Sequence, residues 1–437
     1  MPRFAVASAV VLVACLAQTS PAAVLPHAVA QSPAVTSVSD ATAMTLVAAV
    51  ALALRISPKL EASQSRMAAA RGRVRSLGWL ANPLLDIGFS AGGTNVGSRD
   101  EDIILTQTFD VSQQRSLKRQ AAIRVLAAAE ADMRTTANDL VREVSLTYVD
   151  LQLADAQLEF NQEDTARTRR LKEAVDRKVE QGQAAKTAAM RAEVELLRGL
   201  QRLQQAETAR IVAATRLAAL LGLPMDTPLQ ARPDFVVGPA TDASLDLRSD
   251  VLQRRPELAA LTARMQAQQF EARAVGAGRW PDLVVYGRRS RIFDLAADMG
   301  VRAALQFPLL DFGSISGAQQ EAEALATERQ ALFRAETVRV TTEIAVAEHR
   351  LRGAQRGLEA YQRGVTDRMQ QLAHKAQIGY EAGAYTLFEV LDAQEAAHNV
   401  PHAQLNAKAE VVRAEAELAW ALGVATPDLD TTTGGTK

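Results

Sequence analysis

The sequence contains little cysteine, few aromatic residues and almost no net charge. Its one cysteine, Cys15, excludes both a disulfide within one chain and a metal site built from cysteines. A formal net charge of -1 over 437 residues argues against a nucleic-acid-binding protein, which usually carries a basic excess. Aromatic residues make up 4% of a chain otherwise rich in Ala, Leu, Gln, Glu and Arg, a composition typical of long helices.

The motifs of enzyme chemistry are also missing. The sequence has no P-loop, no dinucleotide-binding fingerprint and no nucleophile elbow. His398 and His402 stand four apart, as in helical metal sites, but Pro401 lies between them and no third ligand is near in sequence. We therefore expect no catalytic residue, no metal site and no cofactor.

The first 30 residues are typical of an export signal. Arg3 supplies a minimal positive region, and Phe4 to Ala14 forms an apolar core of suitable length. A second apolar run, Ala43 to Leu54, is shorter than the roughly 20 residues that a membrane-spanning helix needs. We therefore expect an exported protein without a transmembrane helix.

Cys15 ends the run Leu12-Val13-Ala14-Cys15, which resembles a bacterial lipobox. In a lipoprotein, Cys15 would become the acylated first residue of the mature chain. One acyl chain binds a membrane only weakly, so it would serve as an auxiliary anchor. The alternative is ordinary signal cleavage farther on, after Ala28-Val29-Ala30, and the residues leave both open.

The most informative feature of the sequence is an internal duplication. Pro58-Lys59-Leu60 recurs 198 residues later as Pro256-Glu257-Leu258. The offset drifts only to 201 at the far end, where Leu221-Gly222 recurs as Leu422-Gly423. We therefore expect a signal sequence at 1–30, a first unit at 41–223, a linker at 224–250, a second unit at 251–423 and a mobile polar tail at 424–437.

Each unit begins with a helical segment, roughly Met44 to Leu77 and Pro256 to Gly276, and continues into a strand pair. Pro83 to Ala91 alternates apolar with small or polar residues, and Gly300 to Phe307 does so more clearly. Such alternation is typical of a strand between lipid and a wet lumen, and equally of a half-buried strand in a soluble protein. The pattern alone leaves both open.

A very long helix follows each strand pair. No glycine or proline occurs from Ser98 to Gln181, and helix formers fill Lys118 to Gln181, which would span roughly 95 Å. A second helix returns after Gly182, and the second unit repeats the plan from Gly317 to Gly379 and from Tyr385 to Leu422. Helices of this length need partners along their whole length, as in coiled coils or helical barrels.

Two stretches carry a family resemblance. Tyr380 to Ala393 is similar to the Tyr-x-x-Gly-x-x-Thr-x-x-Asp-Val-Leu-Asp-Ala segment at the periplasmic tip of the TolC-type outer-membrane factors. Leu105 to Val111 more loosely resembles the strand-to-helix passage of the heavy-metal-efflux branch. With the duplicated plan, the resemblance covers nearly all of residues 41–423.

The resemblance implies a mainly α-helical fold with a small membrane β part. Three protomers would share a twelve-stranded β-barrel in the bacterial outer membrane, set on an α-helical periplasmic tunnel. The protein would be the outer duct of an efflux system, in contact with outer-membrane lipid, a periplasmic adaptor and an inner-membrane pump. The cargo would be metal cations or small toxic molecules, with no reaction chemistry and no nucleic acid involved.

By the same resemblance, Glu389 and Asp392 match two acidic positions that ring the tunnel constriction. They stand at i and i+3, so both can face one lumen from a single helix. Three copies would form two stacked acidic rings that attract cations. Mutual repulsion among six carboxylates would raise some of their pKa values.

The resemblance also assigns the rest of the tip. Tyr380 matches a gate tyrosine, and Gly182 and Gly383 mark the helix-to-helix turns that would meet the adaptor. Two positions depart from this analogy: Tyr385 stands where the family's best-known member has arginine, and Ala188 stands where the first hairpin would offer an aspartate partner. We therefore expect the closed tip to use other contacts, such as packing by the two tyrosines.

Two alternatives compete with the duct. A periplasmic adaptor also carries a helical hairpin, but it should have one hairpin between compact β domains and not two hairpins that each follow a strand pair. The second alternative is a structural coiled-coil protein of the envelope with no pore, which solubility without detergent would favour and heat-resistant trimers extracted from the outer membrane would oppose.

Overall fold

The computed structural model describes residues 44–91, 99–235, 252, 254–291, 298–362 and 364–423. Cys15, most of the predicted linker and the predicted tail lie outside these residues. All the elements below belong to one compact unit, Ala43–Lys437.

The first half of the chain contains four helices and two strands. In chain order these are α1 (Leu46–Ile56), α2 (Pro58–Ser76), β1 (Leu84–Ala91), β2 (Arg99–Phe109), α3 (Gln114–Glu180) and α4 (Lys186–Leu220). The predicted helical segment from Met44 to Leu77 is therefore two helices. The break falls at Ser57, because Pro58 disfavours helical backbone in the residue before it.

The second half repeats this order. Its elements are α5 (Pro256–Ala277), β3 (Asp282–Arg291), β4 (Asp298–Gln306), α6 (Ser314–Gln362), α7 (Val365–Glu381) and α8 (Leu387–Ala421). The sequence predicted one helix from Gly317 to Gly379, but that segment contains an interruption at Gly364, which adopts a φ of 74°. Glycine reaches this left-handed region at little cost, so the interruption falls at that residue.

The four strands form one antiparallel sheet in the order β1-β2-β3-β4. The register places most apolar side chains on one side, called here the apolar sheet face, and most polar side chains on the other, the polar sheet face. The apolar sheet face includes Leu85, Ile87, Phe89, Ile103, Leu105, Leu283, Val285, Val301 and Leu305. The polar sheet face includes Asp86, Asp102, Thr106, Tyr286, Arg288, Arg302 and Gln306.

The helices pack around three apolar clusters. One joins α1 to α3 and α4, and a second joins α5, α6 and α8. The third lies beside the two helix-to-helix turns and joins helices of both halves. Among the described residues, no helix is both long enough and apolar enough to cross a membrane.

A buried arginine holds helices of the second half together near the other end of the helices. Arg255 is 1% exposed, donates to the Trp420 carbonyl oxygen at 2.8 Å and pairs with the Glu343 carboxylate at 2.9 Å. The guanidinium groups of Arg255 and Arg142 both lie over the Trp420 ring, 4.6 and 4.5 Å from its centroid. Removing one partner of such a buried pair costs about 3–5 kcal/mol, so this cluster holds the α5–α6–α8 packing in register.

Candidate functional site

The two helix-to-helix turns have the same backbone geometry. Gly182 and Gly383 adopt φ angles of 74° and 79°, and each directly follows the last residue that caps its helix. The amides of Gln183 and Ala384 reach back to the carbonyls of Lys178 and Gly379 at 2.8 and 2.7 Å. This is the Schellman arrangement, which needs a left-handed residue and therefore favours glycine at both turns.

An apolar cluster, called here the tip core, lies beside these turns. It brings together buried side chains of α3, α4, α7 and α8, so that all four long-hairpin helices meet. Its members are Leu171, Val175, Ala192, Ala376, Tyr380, Val390 and Ala393. The tip core therefore holds the two hairpins of one chain against each other.

Lys178 links the two hairpins at this point. Its ammonium lies 4.3 Å from the centroid of the Tyr380 ring and also donates to the Tyr380 carbonyl oxygen. That carbonyl is near the C-terminus of α7, where the helix dipole attracts a cation. Tyr380 is 6% exposed, and burial raises the pKa of its hydroxyl. We call this contact the Lys178–Tyr380 latch.

Sequence reasoning placed Tyr380 at the tip but missed Lys178. The latch joins residues 202 positions apart, so nothing in the local pattern reveals it. The available signal was weak. A lysine in the last turn of a helix, four residues before the terminating glycine, is well placed to bind carbonyls and to complement the helix dipole.

Tyr385 packs against α7. It is 47% exposed and does not belong to the tip core. Its ring lies directly over Gly379, where an added Cβ would come within 2.1 Å of the ring. The sequence predicted that a helix would end at Gly379, but this residue lies inside α7. Because it has no side chain, the Tyr385 ring can pack directly on the helix backbone there.

Glu389 caps the helix on which it lies. Its carboxylate accepts from the backbone N–H and the hydroxyl of Thr386 at 2.7 and 2.9 Å, and the Thr386 hydroxyl accepts from the Glu389 N–H. This capping box satisfies free donors at the start of α8. The donors of Thr386 lower the pKa of the Glu389 carboxyl, so a single chain does not raise it.

Asp392 lies one turn farther along α8 and is exposed. It lines a groove of about 500 Å³ between α4 and α8, next to the turns. The groove has charged walls from Arg191, Arg198 and Glu195 and apolar walls from residues that include Met190 and Phe388. Glu389 and Asp392 thus project from the first two turns of α8, both open to solvent.

A second cross-hairpin contact is polar. His398 Nδ1 lies 3.0 Å from the Asp164 carboxylate, which also faces Arg167 and Arg202 at 3.5 Å. Burial raises the pKa of Asp164, but the His398 hydrogen bond and the charges of His398 and both arginines outweigh it, and the net shift is downward. A lowered carboxyl pKa stabilises the fold at neutral pH. That stabilisation is lost only as the pH falls through the folded-state pKa, below the ordinary value of about 3.9.

The histidine pair therefore has a structural partner. His402 stacks on His398 with ring centroids 5.9 Å apart, and burial together with the His398 charge lowers the His402 pKa. Within the part of the chain that the structure describes, no group of three or more His, Cys, Asp or Glu could hold a metal ion. α8 continues through Pro401 without ending there.

Comparison with known proteins gives a family match. The family model described as outer membrane efflux protein matches residues 49–223 and 247–424. A similar curated protein is the pyoverdine export outer membrane protein OpmQ of Pseudomonas putida, 26% identical over 415 residues, or 88% of this chain and 81% of that protein.

Two further comparisons point the same way. The cobalt-zinc-cadmium resistance protein CzcC of Cupriavidus metallidurans is 23% identical over 351 residues, or 80% of this chain and 83% of that protein. The outer membrane protein VceC of Vibrio cholerae has a solved structure with a TM-score of 0.76 at 20% identity, covering 86% of this chain and 96% of that one. At this identity the structural match establishes the fold.

Proposed function

The chain belongs to the outer membrane efflux protein family, and from that premise we propose that three copies form one continuous duct from the periplasm through the outer membrane. The protein is an outer-membrane efflux channel with a long periplasmic extension, and it is not an enzyme. Membership in this family also argues against the two alternatives, a periplasmic adaptor and a structural coiled-coil protein.

The sheet supports a barrel shared between protomers. Within the described residues, β1 and β4 each pair on one side only, so a single chain leaves two open edges. In lipid no water can satisfy the free N–H and C=O groups of such an edge. Three four-stranded sheets joined edge to edge give twelve strands, with the apolar sheet face toward lipid and the polar sheet face toward the lumen.

The helices support a tunnel below the barrel. α3 has 67 residues and so extends about 100 Å. Several apolar side chains of α4 are exposed in one chain, including Met190, Leu197 and Ile211. Neighbouring protomers would cover such positions, as the length of the helices requires.

The tip core is the observation that carries the proposal. A duct needs a closable end, and here the two hairpins meet through buried side chains and the Lys178–Tyr380 latch. Glu389 and Asp392 lie beside this closure and would form acidic rings around it in the trimer. The turns at Gly182 and Gly383 would meet the periplasmic adaptor, which connects the duct to an inner-membrane pump.

The cargo of the duct follows from the pump that it serves. Metal cations and small toxic molecules are both consistent with the similar proteins, one described as a cobalt-zinc-cadmium resistance protein and one as a pyoverdine exporter. Acidic rings favour cations, which supports a metal cargo. Deleting the gene and measuring sensitivity to metal ions and to toxic organic molecules separates the two.

We expect the purified protein to be a trimer that conducts ions. Chemical crosslinking in outer membranes should give a three-chain band, and the purified trimer should insert into planar bilayers and form channels. Without its adaptor and pump, the purified trimer should conduct weakly, because the tip core closes the channel. A monodisperse, water-soluble monomer without channel activity would contradict the proposal.

We also propose that Cys15 is acylated, as the Leu12-Val13-Ala14-Cys15 run suggests. Radioactive fatty acid should label the wild-type protein, and Cys15→Ser should abolish the label. Trimer formation and conductance should survive the substitution, because one acyl chain is an auxiliary anchor. An unlabelled wild-type protein would indicate cleavage later in the sequence.

A further inference from the structure

We propose that Arg289 binds a lipid phosphate in the outer leaflet of the outer membrane. The proposal rests on the proposed barrel, because it needs the apolar sheet face to point toward lipid. Its occupant is an anionic lipid headgroup and not free phosphate. Three features support it: the face on which Arg289 lies, its height in the membrane, and the charges around it.

The sheet register places Arg289 on the apolar sheet face. Arg289 lies opposite Ile103 on β2 and Met299 on β4, and Ile103 lies opposite Ile87 on β1. Arg291 is two residues farther along β3 and so shares this face. Both arginines are exposed. Their side chains therefore point away from the lumen of the proposed barrel.

Arg289 and Arg291 lie near the outer boundary of the membrane in the proposed barrel. Trp280, 70% exposed, precedes β3 at the end nearer the helices, where an aromatic residue suits the inner interface. Nine residues separate Trp280 from Arg289. At about 3.3 Å per residue and a strand tilt of about 40°, this is a height of about 23 Å, which matches an apolar band of about 25 Å. Arg289 thus lies where the acyl chains end and the outer headgroups begin.

The charges around Arg289 leave it available. Within the described residues, no carboxylate lies within ion-pairing distance of its guanidinium, and its two cross-strand neighbours are apolar. Arg291 lies opposite Glu101, so the pair Arg291 and Glu101 adds no net charge and Arg289 supplies the excess positive charge. A guanidinium can bind two phosphate oxygens at once, which suits it to a fixed anionic headgroup.

Arg288 provides a matched control on the same strand. It points to the polar sheet face and donates to both carboxylate oxygens of Asp102, at 2.9 and 3.3 Å. It has the same charge and almost the same height as Arg289, but its side chain faces the lumen and already has a partner. A lipid-phosphate site should respond to Arg289 and ignore Arg288.

The test measures lipid retention by the purified, conducting trimer with native mass spectrometry. The probes are lipid A with both phosphates, dephosphorylated lipid A and inorganic phosphate. We expect the wild type to retain the bisphosphorylated lipid, with about tenfold weaker retention in Arg289→Gln, as the loss of one charge-assisted contact implies. Arg288→Gln should retain it like the wild type.

Three results would overturn the proposal. One is equal retention of lipid A with and without its phosphates by the wild type, a comparison that needs no variant. The second is equal retention by Arg289→Gln and Arg288→Gln. The third is competition by inorganic phosphate at equal concentration, which would count against a lipid site. If the wild type forms no conducting trimer, the proposed function itself fails, whereas a conducting trimer that ignores lipid phosphates contradicts only this inference.

Discussion

Replacing Lys178 with methionine is expected to open the periplasmic tip. The substitution keeps an apolar stem of similar length but removes the ammonium that binds the Tyr380 ring and carbonyl. A charge-assisted hydrogen bond is worth about 1.5–3 kcal/mol and a cation–π contact about 0.5–1 kcal/mol. Losing both should raise the open fraction at least about tenfold. Conductance of single trimers in planar bilayers measures this directly.

Two control variants isolate the latch. Lys186 lies at the first residue of α4, near the same turn, and Lys186→Met makes the same charge change at an exposed residue without contact to the tip core. It should leave conductance unchanged. Tyr380→Phe should also be nearly silent, because the ring face and the carbonyl form the latch. Opening by Tyr380→Phe, with no effect of Lys178→Met, would instead assign closure to the tyrosine hydroxyl.

The parts of the fold that depend on local chemistry could be predicted from the sequence. Gly182 and Gly383 were placed at the turns because a helix that reverses tightly needs a left-handed residue there. The strand predicted at Pro83 to Ala91 is β1, Leu84–Ala91, because alternation directly encodes the two faces of a strand. The mainly helical architecture with few strands was likewise predicted correctly.

The contacts at the tip could not be predicted in the same way. Lys178 meets Tyr380, and Asp164 meets His398, across 202 and 234 residues of sequence. Such pairs depend on how two hairpins pack, and a single sequence contains no periodicity that reports it. The packing of the Tyr385 ring on Gly379 was not predicted for a related reason. A glycine inside a helical pattern gives no local sign that another side chain approaches it closely.

The role of Glu389 shows how one residue can satisfy two requirements. Sequence similarity assigned it to an acidic ring, and the structure shows its carboxylate bound to Thr386 as a helix cap. The two roles are compatible, because the residue remains exposed and ionised with a lowered pKa. A test of the ring must therefore preserve the cap, which a substitution with alanine would not do.

The last prediction is that Glu389 and Asp392 make the duct selective for cations. Glu389→Gln with Asp392→Asn removes six charges from a trimer while keeping side-chain size, and glutamine at this helix position still supports a capping box. Rings of carboxylates attract and bind cations at a constriction. We expect the wild type to prefer cations and to be blocked by multivalent cations from the periplasmic side. The double variant should lose most of this preference and require about tenfold more blocking ion.

Glu381→Gln is the matched control for that experiment. Glu381 is exposed at the end of α7 and lines a separate groove between α3 and α7, so it shares the tip but not the α8 face of Glu389 and Asp392. A charge that is not at the constriction is screened within about 8–10 Å at physiological salt, and its loss should change neither selectivity nor block. If the double variant forms intact trimers with the selectivity and blocking constant of the wild type, the two carboxylates do not line the constriction. The duct would then discriminate among ions elsewhere, while the tip core and the Lys178–Tyr380 latch would still close it.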